Sequence, residues 1–307
     1  MRAALHNPSI AIGSFSNTVL NPSRHFPSSL ILNRPNSIHS SRPKNTANSP
    51  DYYERKSIKK WNDFYKRHQN KFFKDRHYLD KDWGHYFSSD SDSKVVLEVG
   101  CGAGNTVFPL IDAYPNLFIH ACDFSPNAIS LVKSHEHFKE DRVNTFVCDI
   151  TNDDLCEWVT PTSVDIVTLI FALSAVSPKK MPLVLQNLKK VIKPGGHVLF
   201  RDYAVGDFAQ EKLISKNQTI SENFCVRGDG TCAFFFSEDF LSSLFQEEGF
   251  NTTEINIYCK EIVNRSRNIV MDRRWARAVF CVQDTCDSRH DTSILNLDGK
   301  LFMFQLF

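Results

Sequence analysis

Nowhere in its 307 residues does the chain hold an apolar run approaching the roughly 20 residues a membrane-spanning helix requires. A helical integral membrane protein is therefore excluded. The nine cysteines are an odd number with no C-x-x-C pair, so neither a disulfide framework nor a structural zinc site is supported and a reducing compartment is expected. His135 and His137 stand near a helix end without further ligands nearby, so no metal ion is expected. No internal repeat is apparent. The first fifty residues contain no Asp or Glu at all.

What is present has ordinary globular composition, 42% hydrophobic and 23% charged, with a formal net charge of +1. The average hides an asymmetry. Met1 to Pro50 carries five Lys/Arg and no acid, Asp51 to Tyr78 carries nine basic and four acidic side chains, and the remainder is net acidic. Local charge of this kind controls attraction to polyanions. The leader 1–50 is rich in Ser, Asn and Pro and holds Arg2, Arg24, Arg34 and Arg42, which reads as a transit peptide for a chloroplast or mitochondrion. An untargeted tail on a cytoplasmic protein is the alternative. The expected organisation is a leader over 1–50, a basic aromatic arm over 51–93, an α/β domain over 94–285, and a tail over 286–307 without an assigned role.

From Lys94 short apolar runs alternate with helical stretches. Strands are expected over 95–99, 117–122, 143–148, 164–171 and 197–201, with helices over 105–113, 126–135 and 180–192. Pro194-Gly195-Gly196 is expected to break the last helix and open the fifth strand. Such alternation implies a doubly wound, mostly parallel sheet. Beyond Asp202 the rhythm changes. Arg227-Gly228-Asp229-Gly230 signals a hairpin, Ser237 caps a helix that Gly249 stops, and residues 254–259 and 275–282 form two late strands.

Glu98-Val99-Gly100-Cys101-Gly102-Ala103-Gly104 lies between a strand and a helix, where glycine lets backbone turn tightly and approach a ligand. In open α/β sheets that ligand sits at the carboxyl ends of the strands. Asp123 closes the second strand, where a carboxylate takes ribose hydroxyls, and Asp149 closes the third, where it accepts from an adenine amine. The alternative for both acids is capping of the helices that follow. A dinucleotide site favours G-x-G-x-x-G spacing and a diphosphate. The spacing here is G-x-G-x-G with two strand-end acids, which suits S-adenosyl-L-methionine, a ligand with ribose and adenine but no phosphate. Cys101 is expected to serve as a small side chain in a tight loop rather than as a nucleophile.

Upstream, Ile58, Trp61 and Tyr65 recur at helical spacing, with lysines on the remaining faces. These aromatics either pack a solvated helix onto the main domain or roof the donor pocket, and the two are compatible. Basic residues interleaved with aromatics fit RNA, whose unstacked bases are held by aromatic and guanidinium planes.

The segments WNDFYK, FFKDRH, LEVGCGAGNTVFPL, ACDFSPNAI, LIFALSAVSPKKM, VIKPGG, LFRDY and NFCVRGDGT, in this order over about 51–282, resemble the tRNA N3-methylcytidine methyltransferases of the methyltransferase-like group. The resemblance implies a seven-stranded class I (Rossmann-like) methyltransferase sheet with an N-terminal helical arm and S-adenosyl-L-methionine as donor. The acceptor it implies is an anticodon-loop cytosine of tRNA, at position 32. By matching position it implies donor contacts from Trp61, Tyr65, Gly100, Asp123, Asp149, Ile150 and Ile170, beside Gly102 and Gly104 of the loop. The wording of WNDFYK and VRGDGT is similar to the branch acting on threonine and arginine tRNAs. An aminoacyl-tRNA synthetase or another protein partner is left open.

Asp202, at the end of the fifth strand, is expected to face the acceptor base and favour a developing cation, with Arg201 orienting it or holding RNA. An Arg201–Asp202 pair that merely fixes the strand end is the structural alternative. Lys71, Lys74, Arg76 and His77 are expected to contact tRNA. Rival functions are a methyltransferase for a small molecule or a protein, and a non-catalytic donor-binding RNA module; dinucleotide reductase is the weakest.

Overall fold

The computed structural model describes residues 49–88, 93–266 and 268–282. The expected transit leader and the tail over 286–307 lie outside the described residues, Ser49 and Pro50 excepted.

Two helices precede the sheet. Helix α1, Pro50–His68, starts where the Ser49 side chain accepts from the Tyr52 N–H, with proline in the first turn and Lys66, Arg67 and His68 in the last. Helix α2 is Tyr78–Phe87, and its Leu79, Trp83 and Phe87 are buried. The alternation then follows as β1 Lys94–Val99, α3 Val107–Ala113, β2 Leu117–Asp123, α4 Pro126–Lys133, β3 Val143–Val147, β4 Val164–Ile170, α5 Met181–Val191 and β5 Ile192–Tyr203. Next come α6 Phe208–Ile214, the short strands β6 Thr219–Ser221, β7 Phe224–Val226 and β8 Cys232–Phe234, α7 Glu238–Glu247, β9 Phe250–Asn264 and β10 Ile269–Val282.

The seven-stranded sheet has the order β3-β2-β1-β4-β5-β10-β9. β1 to β5 pair in parallel, whereas β10 runs antiparallel to both β5 and β9. Helices α2, α3 and α4 cover one face through Leu79, Trp83, Phe108, Leu110 and Ile129. Helices α5 and α7 cover the other through Val184, Leu188, Leu241 and Phe245. Burial on both faces explains why the parallel strands are near-continuous apolar runs.

Two expectations are corrected. Pro194-Gly195-Gly196 does not precede the fifth strand but lies within it, looped out of the ladder, since Ile192 pairs with Val164 and His197 already pairs with Ile166. The late strands are far longer than their apolar cores suggest, because β9 and β10 pair with each other from Phe250–Val282 to Asn264–Ile269. Trp275 is level with Tyr203 at the end of β5, so Arg273 to Ile269 overhang the carboxyl edge by roughly 15–17 Å. The expected turn at Arg227 to Gly230 does join two antiparallel strands, β7 and β8.

Candidate active site

The strand order reverses between β1 and β4, and a cavity opens there at the carboxyl edge. It encloses about 1070 Å³ of non-atom space including its open mouth. Its floor is made by Val99 and Gly100 after β1, by Cys122 and Asp123 ending β2, by Cys148 to Thr151 after β3, and by Leu169 and Phe171 to Leu173 after β4.

Helix α1 is its roof, with Tyr53, Glu54, Ser57, Ile58, Trp61 and Tyr65 facing in. Asn62 pins this helix to the start of α4: its Oδ1 accepts from Ser125 Oγ at 2.9 Å and from the Asn127 N–H at 3.2 Å, and its carbonyl accepts from Asn127 Nδ2 at 3.1 Å. On the opposite side Glu54 pairs with Lys180 at 2.7 Å. Lys60 packs against Gly230 of the hairpin turn. The arm thus touches three segments that are remote in sequence. Tyr65 and Phe64 are buried, while Ile58, on the same face, stays 46% exposed at the mouth.

The glycine loop is shaped from both sides. Gly100 has φ +69°, and a Cβ there would stand 2.8 Å from the Ala172 side chain. Gly102 has φ +55°, and a Cβ there would meet the Tyr65 hydroxyl at 2.6 Å. Gly102 and Gly104 do not line the cavity; Gly102 leaves room for the roof tyrosine, and Gly104 lies against the Phe108 ring.

Asp123 is buried, and its Oδ2 accepts from the Gly102 N–H at 3.1 Å while Oδ1 accepts from the Ser125 N–H at 2.8 Å. Burial pushes its carboxyl up to about 6 against those two donors. It is not the cap of α4, because the Ser125 side chain takes that place. Asp149 accepts from both the N–H and the hydroxyl of Thr151, forming a local turn with its carboxylate at the cavity wall. Ile150 lines the cavity too, but Ile170 does not: it packs toward α2 and α3, and its strand neighbour Leu169 faces in instead.

Two buried acids behind the loop complete the electrostatics. Glu98, in the loop motif itself, accepts from the Thr168 hydroxyl, and burial pushes its carboxyl up to about 8, so it stands neutral at physiological pH. Asp202 has no exposed surface; Oδ2 accepts from the Ser174 N–H and Oδ1 from the Tyr203 N–H, both at 2.9 Å. Burial pushes it up to about 7. Asp202 therefore braces the turn Leu173–Ala175 behind the cavity wall and does not face the cavity.

Arg201 does not pair with Asp202, since successive strand residues point to opposite faces. Its guanidinium binds Asp82 of α2 at 2.6 Å and stacks 4.3 Å from the Tyr78 ring. Lys71, Lys74 and His77 are exposed, whereas Arg76 is half-buried with its guanidinium over the Phe171 ring.

Cys101 is buried and its thiol is raised well above the usual range by that burial and by Asp123 and Glu98, which leaves no thiolate for nucleophilic work. His137 pairs with Asp112, and His135 stacks on Phe108. Among the described residues no cluster of three or more His, Cys, Asp or Glu could hold a metal ion, and no helix is long and apolar enough to cross a membrane.

The cavity fits S-adenosylmethionine on its own features. The indole N–H of Trp61 is buried with no partner, the left-handed bend at Gly100 keeps side chains out of the floor, and two strand-end carboxylates await hydroxyl and amine donors. Residues missed in the sequence, such as Asn62, Glu54, Lys180 and Phe171, bore no local signal beyond membership of the quoted segments.

A model of the methyltransferase domain matches residues 97–198. The chain is 44% identical over 231 residues to the tRNA N(3)-methylcytidine methyltransferase trm141 of Schizosaccharomyces pombe, covering 74% of this chain and 93% of that protein. It is likewise 44% identical over 230 residues to the tRNA N(3)-cytidine methyltransferase METTL6 of Homo sapiens, covering 74% and 81%. To the tRNA(Thr) (cytosine(32)-N(3))-methyltransferase of Saccharomyces cerevisiae it is 40% identical over 237 residues, covering 75% of this chain and 38% of that protein. A solved SAM-dependent methyltransferase from Anabaena variabilis superposes with a TM-score of 0.54 at 12% identity, over 74% of this chain and 95% of that one, which speaks for the fold alone. Relatives 44% identical over 74% of this chain show its family, and so the chain belongs to the tRNA N3-cytidine methyltransferases.

Proposed function

We propose that the protein methylates N3 of an unpaired cytosine in the anticodon loop of tRNA, at position 32, with S-adenosylmethionine as methyl donor. One observation carries the reading: the roof of the donor cavity and the basic element are the same helix. Trp61 and Tyr65 close over the loop, while Arg55, Lys56, Lys59, Lys66 and Arg67 stand exposed on the other faces of α1. A small-molecule or protein substrate has no need of that charge.

When bound, S-adenosylmethionine supplies a methyl carbon made electrophilic by an adjacent sulfonium. The chain's part is binding and placement. Asp123 holds ribose hydroxyls with the lone pairs that Gly102 and Ser125 leave free, Asp149 takes the adenine amine, and Trp61 donates its indole N–H. Cytosine N3 is unprotonated near neutral pH, so no general base is required. Placement of an extruded base is worth up to about 7–11 kcal/mol.

The test is mass-spectrometric nucleoside analysis of tRNA from cells lacking the protein, with purified protein added back. Loss and restoration of N3-methylcytidine are expected; unchanged N3-methylcytidine in cells and no product in vitro would refute the function. Product on metabolites or proteins instead would favour the rival enzyme class.

Threonine and arginine isoacceptors are our choice on the wording of WNDFYK and VRGDGT. The threonine-tRNA relative is less similar than the two at 44%, so isoacceptor-resolved nucleoside analysis decides. Turnover with and without an aminoacyl-tRNA synthetase tests for a protein partner. On the composition of residues 1–50 we place the protein in a plastid or mitochondrion; a reporter fused to those residues that stays diffuse in the cytosol would refute this.

A further inference from the structure

We propose that Phe171, with the Arg76 guanidinium over one face of its ring, is the stacking platform for the acceptor base. The proposal deepens the function above and rests on it.

Phe171 follows β4 directly and has φ +57°. A bulky L-residue enters the left-handed region only under constraint, and such residues gather at functional sites. The chain reversal alone does not require phenylalanine, since glycine or asparagine makes the same turn without strain. Nor is core burial the reason, because the ring is half-buried and borders the donor cavity. The backbone conformation is locked: the Phe171 N–H donates to the Arg201 carbonyl at 2.8 Å, and the next residue, Ala172, packs into the space left by Gly100. The strain therefore serves to aim the ring.

The Arg76 guanidinium lies 4.7 Å from the Phe171 centroid. Its backbone N–H is held by the Asn105 carbonyl at 2.8 Å, and among the described residues its side chain has no ion-pair partner. The Tyr203 ring stands 5.0 Å from Phe171, tilted by 54° and so not stacked on it, and the Arg227 guanidinium lies 5.4 Å from the Tyr203 centroid. Cation, ring, ring and cation thus run from the front arm to the hairpin beside the cavity. That sequence of surfaces suits a ligand with a π-face and flanking phosphates, which is an unstacked nucleotide of a single-stranded loop.

The test uses full-length Phe171→Gly, Phe171→Leu and Arg76→Lys. Phe171→Gly removes the ring and relieves the strain together, so its melting temperature should equal or exceed that of the wild type, and because Phe171 borders the donor cavity its turnover is read at saturating donor. Its turnover on tRNA should fall about 10- to 100-fold, the range set by loss of one base–aromatic stack. Phe171→Leu keeps apolar bulk without a π-face and should lose turnover similarly, as should Arg76→Lys, which keeps charge without a plane. A stem-loop RNA with pyrrolo-cytosine at the acceptor position should be quenched by wild type and not by Phe171→Gly. Full turnover of either Phe171 variant, quenching retained in Phe171→Gly, or turnover lost only with a lowered melting temperature would overturn the platform while leaving the proposed function standing. Wild-type protein that forms no N3-methylcytidine on any tRNA would sink the function and the platform with it.

Discussion

Gly102→Ala separates two roles for the glycine loop: touching the donor, or seating the arm that covers it. At φ +55° an alanine carries a left-handed penalty of about 1–2 kcal/mol. Its Cβ would also stand 2.6 Å from the Tyr65 hydroxyl and 3.3 Å from the ring carbon that bears it. Overpacking of this order costs about 1–3 kcal/mol unless the neighbour moves, and the neighbour is on the roof helix. The variant should therefore lose about 2–5 kcal/mol, divided between stability and donor affinity. Tyr65→Phe deletes the colliding oxygen, leaving a 3.3 Å contact that a shift of a few tenths of an ångström relieves. Calorimetric donor titration and urea unfolding of both single variants and the double variant complete the cycle. Expected is a favourable coupling of about 1–2 kcal/mol, the double variant binding donor better than Gly102→Ala alone. Additivity within about 0.5 kcal/mol would refute the seating role.

Glu98 is held at about 8 by burial, up from 4.5, so the folded state keeps a proton that the unfolded chain releases. Its contribution is full below pH 4.5 and is lost as pH rises toward 8. Urea unfolding at pH 5 and pH 8 should show wild type losing on the order of 3 kcal/mol more than Glu98→Gln, and equal pH slopes would contradict this. Asp202→Asn places an amide against one of two backbone N–H donors, so it should cost about 1–3 kcal/mol in unfolding measurements and lower turnover by loosening the turn that follows Phe171. Full stability with abolished turnover would return Asp202 to direct work on the base. Lys71→Ala with Lys74→Ala should reduce the slope of log affinity for tRNA against log salt by about 1.5, and an unchanged slope would remove them from the RNA interface.

Local order explains what could be read without coordinates. The parallel strands and their helices were visible because apolar runs, glycine breaks and capping residues are local signals; Ser237 capping α7 and the Asp-Gly turn after β7 are examples. The arm helix showed in the spacing of Ile58, Trp61 and Tyr65, and the cavity floor in the glycine loop with Asp123 and Asp149. The resemblance of eight ordered segments added the donor and the acceptor.

Facing and meeting were decided elsewhere. Whether Leu169 or Ile170 looks into the cavity, and whether Arg201 or Asp202 turns toward α2, depends on register, since a shift of one residue reverses every side chain of a strand. That Asn62 would clasp Ser125 and Asn127, or Glu54 reach Lys180, depends on residues more than sixty apart being brought together by the sheet. The left-handed Phe171 is the extreme case, because nothing in a phenylalanine encodes positive φ. Sequence alone settled the fold, the ligand-binding edge and the charge of the arm, all products of composition and short-range period. Tertiary structure alone assigned the tasks of individual residues there, because those tasks arise from close approach between distant segments, and close approach has no local signature.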